Sequence, residues 1–488
     1  MSIKESLLID KIKKEDYGEE AVLLYDKSLV HINQEKPEKA ALQCLLNSLL
    51  NNIVMTCAKL IMTINLILIG HITYENKVHY QLFMTFQIGV FILEFLGKFF
   101  LLGLIKYVFF EKKDFKQSYN SYIRIKAVLI FLIPAIFIPV SICSYFLIEL
   151  LLKESLDIND QSINKEVYKQ YLLYTPVIYL FEILFFFNIK YLNMERVEYV
   201  IKYIIPFLIC HAAGSWITIY FFEMGLSGLT LFYGLNSFIF FFCSDKCISE
   251  LLKDYKDNYF TLIPNKSHFD NETLNILKHI SFYSLINLGD IIVPSYIFLA
   301  SAFIDKNTLI VNIIYLNFFE LLVEINRSFY YSIKRDIITK DQDAKEKQMI
   351  ISYFSLYYFI LTLAIIIVLL LFNNILLKMY LFKGGEPILL FISSRLRVIY
   401  PICIFCMSLR LLLNGIIRGM NLPLSYLSKT TYIIISIAAC YIFCFEYDFG
   451  IKGLWIAMLI FDIFYIFESA HKTIKHFPLI ITYSSGID

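Results

Sequence analysis

Residues Leu411–Asn421 read LLLNGIIRGMN and residues Gly450–Trp455 read GIKGLW, with Pro423 and an apolar run between them. Gly415 and Gly419 are four apart, so on a helix they share one face and let a second backbone approach closely. Arg418 stands where a long basic side chain can snorkel to water, and Asn421-Leu422-Pro423 stops the helix. Gly450 and Gly453 frame a tight turn into the next apolar run. One span ends here, a second follows, and a glycine turn opens a third.

The rest of the chain repeats this texture. With 58% apolar residues and 18% charged ones over 488 positions, and a mean hydropathy of +0.63, it is read as a polytopic membrane protein and not as a soluble one. Apolar stretches of roughly 20 residues recur about twelve times, enough for each to cross a bilayer. Residues 1–39 are charged and lack the apolar core of a signal peptide, which predicts a cytosolic tail. Basic clusters follow the second, sixth and eighth stretches, among them Lys112, Lys113 and Arg124, then Lys253 and Lys256, then Lys334 and Arg335. By the positive-inside rule both termini are expected in the cytosol of a plasma membrane or endomembrane.

An internal repeat organises the spans. Gly225-Leu226-Ser227-Gly228-Leu229 matches Gly450-Ile451-Lys452-Gly453-Leu454, each after a Phe-Glu pair, Phe222-Glu223 and Phe445-Glu446. Pro176 matches Pro401 at the same offset of 225 residues, and Glu94 falls within one residue of that offset from Glu320. Matches in the same order predict two parallel halves of about six helices. The expected fold is all-α, with about twelve transmembrane helices in two six-helix lobes. The boundaries are an N-lobe over 40–248, a cytosolic linker over 249–276, a C-lobe over 277–470 and a cytosolic tail over 471–488.

These motifs resemble those of the multidrug and toxin extrusion (MATE) family, in the superfamily that also holds lipid-linked oligosaccharide flippases. NGIIRGMN is similar to that family's GxxRGxG helix end, GIKGLW to its G-x-x-G-x-W turn, Gly70-His71-Ile72 to its GHLG, and the Pro176 helix to its proline-bearing fourth helix. Asn421 replaces a family glycine, Asn65 stands at the first-helix acid of many prokaryotic members, and Met407 stands where the tenth-helix acid is expected. The resemblance implies a secondary active antiporter that exports organic solutes or xenobiotics in exchange for H+ or Na+, by alternating access of two lobes.

Charges inside apolar spans are costly, so each is a candidate for that chemistry. Asp290 lies within the seventh stretch and Glu320 within the eighth; these two are the leading ion-coupling or substrate-binding candidates, followed by Glu94, Glu182, Arg410 and Asn65. Glu324 is one turn from Glu320 and can pair with Arg327, while Asp462 ranks lower. Lys59 and Arg410 need carboxylate partners, with Glu94, Glu182, Asp290 and Glu320 available. An Arg410 turned into a cavity disfavours organic cations and favours an anionic or neutral substrate. His211 reads as hydrogen-bonded packing, and the Cys403/Cys406 pair as packing without zinc or redox chemistry.

No Walker, GxSxG or metal-ligand spacing occurs, so neither an enzyme nor a cofactor nor a metal site is expected. The partners expected are a small organic solute, H+ or Na+ and the bilayer, with no nucleic acid and a monomeric chain. Two alternatives accompany the exporter: a lipid or lipid-linked sugar flippase, for which Lys59 and Arg410 are the cationic residues, and a non-transporting scaffold descended from a transporter.

Overall fold

The computed structural model describes residues 37–51, 53–71, 119, 121–131, 133–135, 138–139, 180–193, 197–251, 270–275, 277–278, 289–332, 344–381, 386–419 and 426–482. Among these residues every regular element is helical. The first half holds α1 (Pro37–Asn51), α2 (Ile53–Gly70), α3 (Val197–Trp216) and α4 (Gly225–Leu251), with further helical residues at 121–131 and 180–193. The second half holds α5 (Gly289–Ala302), α6 (Lys306–Ser332), α7 (Ala344–Leu371), α8 (Asn373–Tyr380), α9 (Pro387–Leu396), α10 (Ile399–Gly419), α11 (Tyr426–Tyr441) and α12 (Ile451–Thr482). Among the described residues, 7 helices are long and apolar enough to cross a membrane. The last helix runs to Thr482, well past the apolar stretch that ends at Phe467 and into the expected tail.

The internal repeat is written into the backbone. A π-helical turn at Ile217–Phe221 ends α3, and another at Ile442–Glu446 ends α11. Phe222 N donates to Ile217 O at 3.1 Å, and Tyr447 N to Ile442 O at 3.0 Å. Gly225 and Gly450 then take φ of 56° and 54°, the left-handed region that glycine enters without a Cβ penalty. Glu223 and Asp448 also share that region, each at φ 53°. The conformational mate of Glu223 is therefore Asp448, and the Phe-Glu pairing suggested by the letters is out of register by two residues.

The second glycine of each turn is required by space. A Cβ on Gly228 would lie 2.8 Å from Thr218 O, and one on Gly453 2.8 Å from Phe443 C. This close approach brings Trp455 into the core, where its Nε1 donates to Asn312 Oδ1 at 3.1 Å and its ring meets Tyr400 and Phe319 edge-on.

α6 is the centre of the second half. Most of its spanning part, Lys306–Arg327, is buried, whereas most of Gln348–Leu371 of α7 is not, which leaves α7 to face lipid. Asp305 starts α6 by accepting from the amides of Asn307 at 2.8 Å and Thr308 at 2.9 Å, satisfying donors that a helix start leaves open. A column of buried polar residues follows: Asn312, Asn317, Glu320, Glu324 and Asn326. The first helix lies between the halves, with α1 packed on α6 and α7, and α2 on α3, α6 and α8.

Candidate functional site

Buried charge collects around α6. Lys59 Nζ of α2 lies 3.2 Å from Glu320 Oε2 of α6, with both residues at least 96% buried. One turn along α2, Thr63 donates to Asn317 Oδ1 at 2.9 Å, and Tyr380 donates to the same oxygen at 2.7 Å. Gly70 then abuts α8 so closely that a Cβ there would collide with the Tyr380 carbonyl, and His71 Nε2 is 2.9 Å from Met379 O. The stripe from Lys59 of α2 to His71, just past its end, thus closes against the second half.

Glu320 also lines a cavity of about 10 Å³ between α5, α6, α10 and α12, shared with Val293, Pro294, Phe319, Arg410 and Asp462. That volume holds one water centre. Arg410 Nε lies 2.7 Å from Asp462 Oδ1, and its guanidinium stacks over Phe461 and Tyr465 at 5.3 and 5.4 Å. Arg410 does turn into a cavity, but Asp462 meets its charge. Glu320 and Asp462 therefore meet here with the cations Lys59 and Arg410, and a further buried cation, Lys429, stands 5.0 Å over the Tyr465 ring that Arg410 also faces.

The first half carries a second polar group. His211 Nε2 of α3 is 2.6 Å from Asn65 Oδ1 of α2, and its ring lies 4.6 Å from Tyr233 of α4. Glu182 is fully buried, and its carboxylate faces the Tyr233 hydroxyl. Asn65 thus holds a histidine at the position where the resemblance implies an acid.

Two further ion pairs lie apart from the cavity. Lys126 pairs with Asp245 in the interior, with its ammonium over the rings of Tyr122 and Phe241. Arg124 holds both Asp270, at 2.7 Å, and Glu272. Asp270 caps the segment at 271–275 by accepting from the Thr273 amide at 2.9 Å. That amide bond, ahead of the Arg124 charge, holds the Asp270 carboxyl below its usual range.

The structure brings Glu320 and Arg410 to one cavity and places Asn65 and Glu182 in the first-half group. Asp290 opens α5 one turn before the cavity-lining Val293 and Pro294; its side chain lies outside the described residues. Glu94 and Pro176 also lie outside them. Pro401 sits in the first turn of α10, where its missing amide costs nothing, Gly415 is buried on that helix and Gly419 ends it. Glu324 binds Arg327 at 2.5 Å, as their spacing suggests. Asp462 as the partner of Arg410, and His211 as the partner of Asn65, were not selected by sequence.

No family model matches the sequence, and no curated protein matches it. Solved structures do match in shape. AtDTX14, a eukaryotic MATE transporter, superposes with a TM-score of 0.66 at 14% identity over 90% of this chain and 96% of its own. A multidrug resistance MATE family transporter in its inward-facing conformation gives 0.61 at 14% identity, covering 93% of this chain and 100% of its own. A MOP superfamily transporter from Pyrococcus furiosus gives 0.55 at 13% identity over 92% and 97% of the two chains. The chain is an all-helical, polytopic membrane protein with the fold of the multidrug and toxin extrusion transporters.

Proposed function

We propose that the protein is a secondary active antiporter that exports an organic solute in exchange for H+, by alternating access of an N-lobe and a C-lobe. The Lys59–Glu320 pair carries this reading. An ion pair buried in a membrane span is costly to assemble, and a packed apolar pair of similar volume would serve stability as well. This pair joins the first helix to the second lobe beside a cavity, where breaking it would both expose a charge and loosen an interlobe contact.

With both termini in the cytosol, the end of α2 that carries Gly70 and His71 faces outward. The contacts of Gly70, His71 and Asn317 then form the outer gate, closed here, and the solute enters from the cytosolic side. Four of the five described buried carboxylates, Asp245, Glu320, Glu324 and Asp462, each face a cation, and the fifth, Glu182, faces the Tyr233 hydroxyl, which favours H+ over Na+ as coupling ion. The chain acts as a monomer in the bilayer, and Asp290, one turn before Val293 and Pro294 on α5, is the next candidate.

The test is flux through purified protein in proteoliposomes, with an imposed pH gradient and a panel of cationic, neutral and anionic fluorescent solutes. Gradient-driven movement of at least one solute is expected, and none across the panel removes the reading.

A flippase is the second reading. Arg410 lines the cavity and Lys59 pairs with its Glu320, and the Pyrococcus furiosus neighbour is described as having a binding pocket of reverse polarity that suggests a different function. Headgroup-accessibility assays on lipid or lipid-linked sugar, run with the same vesicles, separate it from solute exchange.

A further inference from the structure

We infer that the exchanged proton rides on the Lys59 amine, and that Glu320 alternately holds this amine and a cationic solute. The inference rests on the antiport reading above and assigns its proton to a residue.

The two buried pairs beside the cavity differ in what they can do. Arg410 is held by Asp462 and two aromatic faces. A guanidinium does not discharge in a protein, so that pair keeps its charges through any cycle. Lys59 is an amine, which can be either charged or neutral, and its carboxylate sits on another helix of the other half. Of the four charges, Lys59 and Glu320 are the pair whose partners can change.

Charge balance supplies the coupling. At rest the Lys59 ammonium cancels the Glu320 carboxylate, and Asp462 cancels Arg410. A cationic group that docks on Glu320 adds one positive charge to a low-dielectric site. Neutrality returns when one N–H bond of Lys59 breaks, the electron pair stays on nitrogen and the proton leaves to water. On the far side a proton rebuilds the ammonium, which retakes Glu320 as the solute departs. One cation is exchanged for one proton. While Lys59 is neutral, the tie between α2 and α6 is cut one turn from the Thr63–Asn317 bond, which links proton loss to loosening of the gate.

The groups around Lys59 are consistent with this assignment. Glu320 faces it from α6, with Glu324 on that helix turned to Arg327. Arg410 and Asp462 face the far side of the Glu320 cavity, and Tyr380 of α8 reaches the same stripe through Asn317. Asp290 opens α5. In the first half His211 is turned to Asn65.

Tetraphenylphosphonium, which carries a fixed charge and no exchangeable proton, is the probe. Purified full-length protein in weakly buffered detergent should release about one proton per bound probe ion, by proton linkage. Lys59→Arg keeps a cation on Glu320 that cannot discharge; proton release should vanish and gradient-driven probe flux should fall about tenfold or more. Lys59→Gln should bind the probe with no proton release, and its probe flux should lose dependence on the pH gradient. Monodisperse elution and wild-type helicity of both variants show that they fold. Binding by wild type without proton release, wild-type exchange by Lys59→Arg, or gradient-driven flux confined to anions would overturn the assignment while leaving the transporter. Failure of wild type to move any solute in the panel is a different result, and it removes the antiport reading itself.

Discussion

Glu223 and Asp448, 225 residues apart, hold the same left-handed backbone, each at φ 53°, two residues before a glycine that does likewise. A side chain in this region costs about 1 kcal/mol or more. Both acids bear that strain at the matching points of the two halves, so the turn geometry outweighs the preference of the residue.

Replacing either acid with glycine should relieve the strain. Glu223→Gly and Asp448→Gly are each expected to raise the thermal unfolding midpoint in detergent, by an amount corresponding to about 0.5–1 kcal/mol. Gly228→Ala and Gly453→Ala should do the opposite and cost roughly 1–3 kcal/mol, because the new methyl meets neighbouring backbone at 2.8 Å. A neutral outcome for both alanine variants would show that the paired turns yield more easily than their spacing implies.

Arg410 and Asp462 should behave as a buried ion pair. Asp462→Asn strands a guanidinium in the interior and is expected to cost about 3–5 kcal/mol, whereas Arg410→Met with Asp462→Leu should recover most of that. Thermal midpoints of the single and double variants check it. If the double variant is no more stable than the single, the two residues do not act as a unit.

The Asn65–His211 contact predicts a smaller, asymmetric loss. Asn65→Leu leaves a buried imidazole nitrogen without its partner and should cost about 1–3 kcal/mol. Adding His211→Phe should restore part of it, since the pair is then apolar on both sides. The same thermal measurement applies, and a second substitution that deepens the loss would argue for other work by His211.

The sign of the pH effect at Arg124–Asp270 follows from the depressed carboxyl of Asp270. A carboxyl held below its usual range contributes to order above that range, and the contribution fades as pH falls through the lowered value. The segment at 271–278 should therefore be cut by protease more slowly at neutral pH than in strong acid, with an acid-stable protease as the reagent. Arg124→Gln should speed cleavage at neutral pH, and an unchanged rate would mean that the ion pair does not hold the segment.

Much of this architecture is legible in one dimension, because a membrane span depends on length and apolarity and the repeat keeps its glycines at a constant offset. Glu324 and Arg327 are legible as partners for the same reason: three residues apart on a helix, they must meet. Arg410 and Asp462 are 52 residues apart on different helices, so their meeting depends on how α10 crosses α12, which no local pattern records. Lys59 was readable as a cation in need of a carboxylate, but Glu320 could not be chosen over the other acids without the packing of α2 on α6. Lys126 belongs in sequence to the basic cluster after the second stretch, and that topological role hides its burial against Asp245. His211 reads as hydrogen-bonded packing, but its partner, Asn65, is 146 residues away and no local pattern selects it.

If exchange turns on the Glu320 carboxylate, as proposed, gradient-driven efflux depends on its charge. The initial rate of solute efflux driven by an imposed pH gradient, measured in proteoliposomes for wild type and Glu320→Gln at matched protein density, tests it most directly. A loss of about tenfold or more is expected for Glu320→Gln, a change that keeps side-chain volume and removes the charge. An unchanged gradient-driven rate in that variant would contradict it.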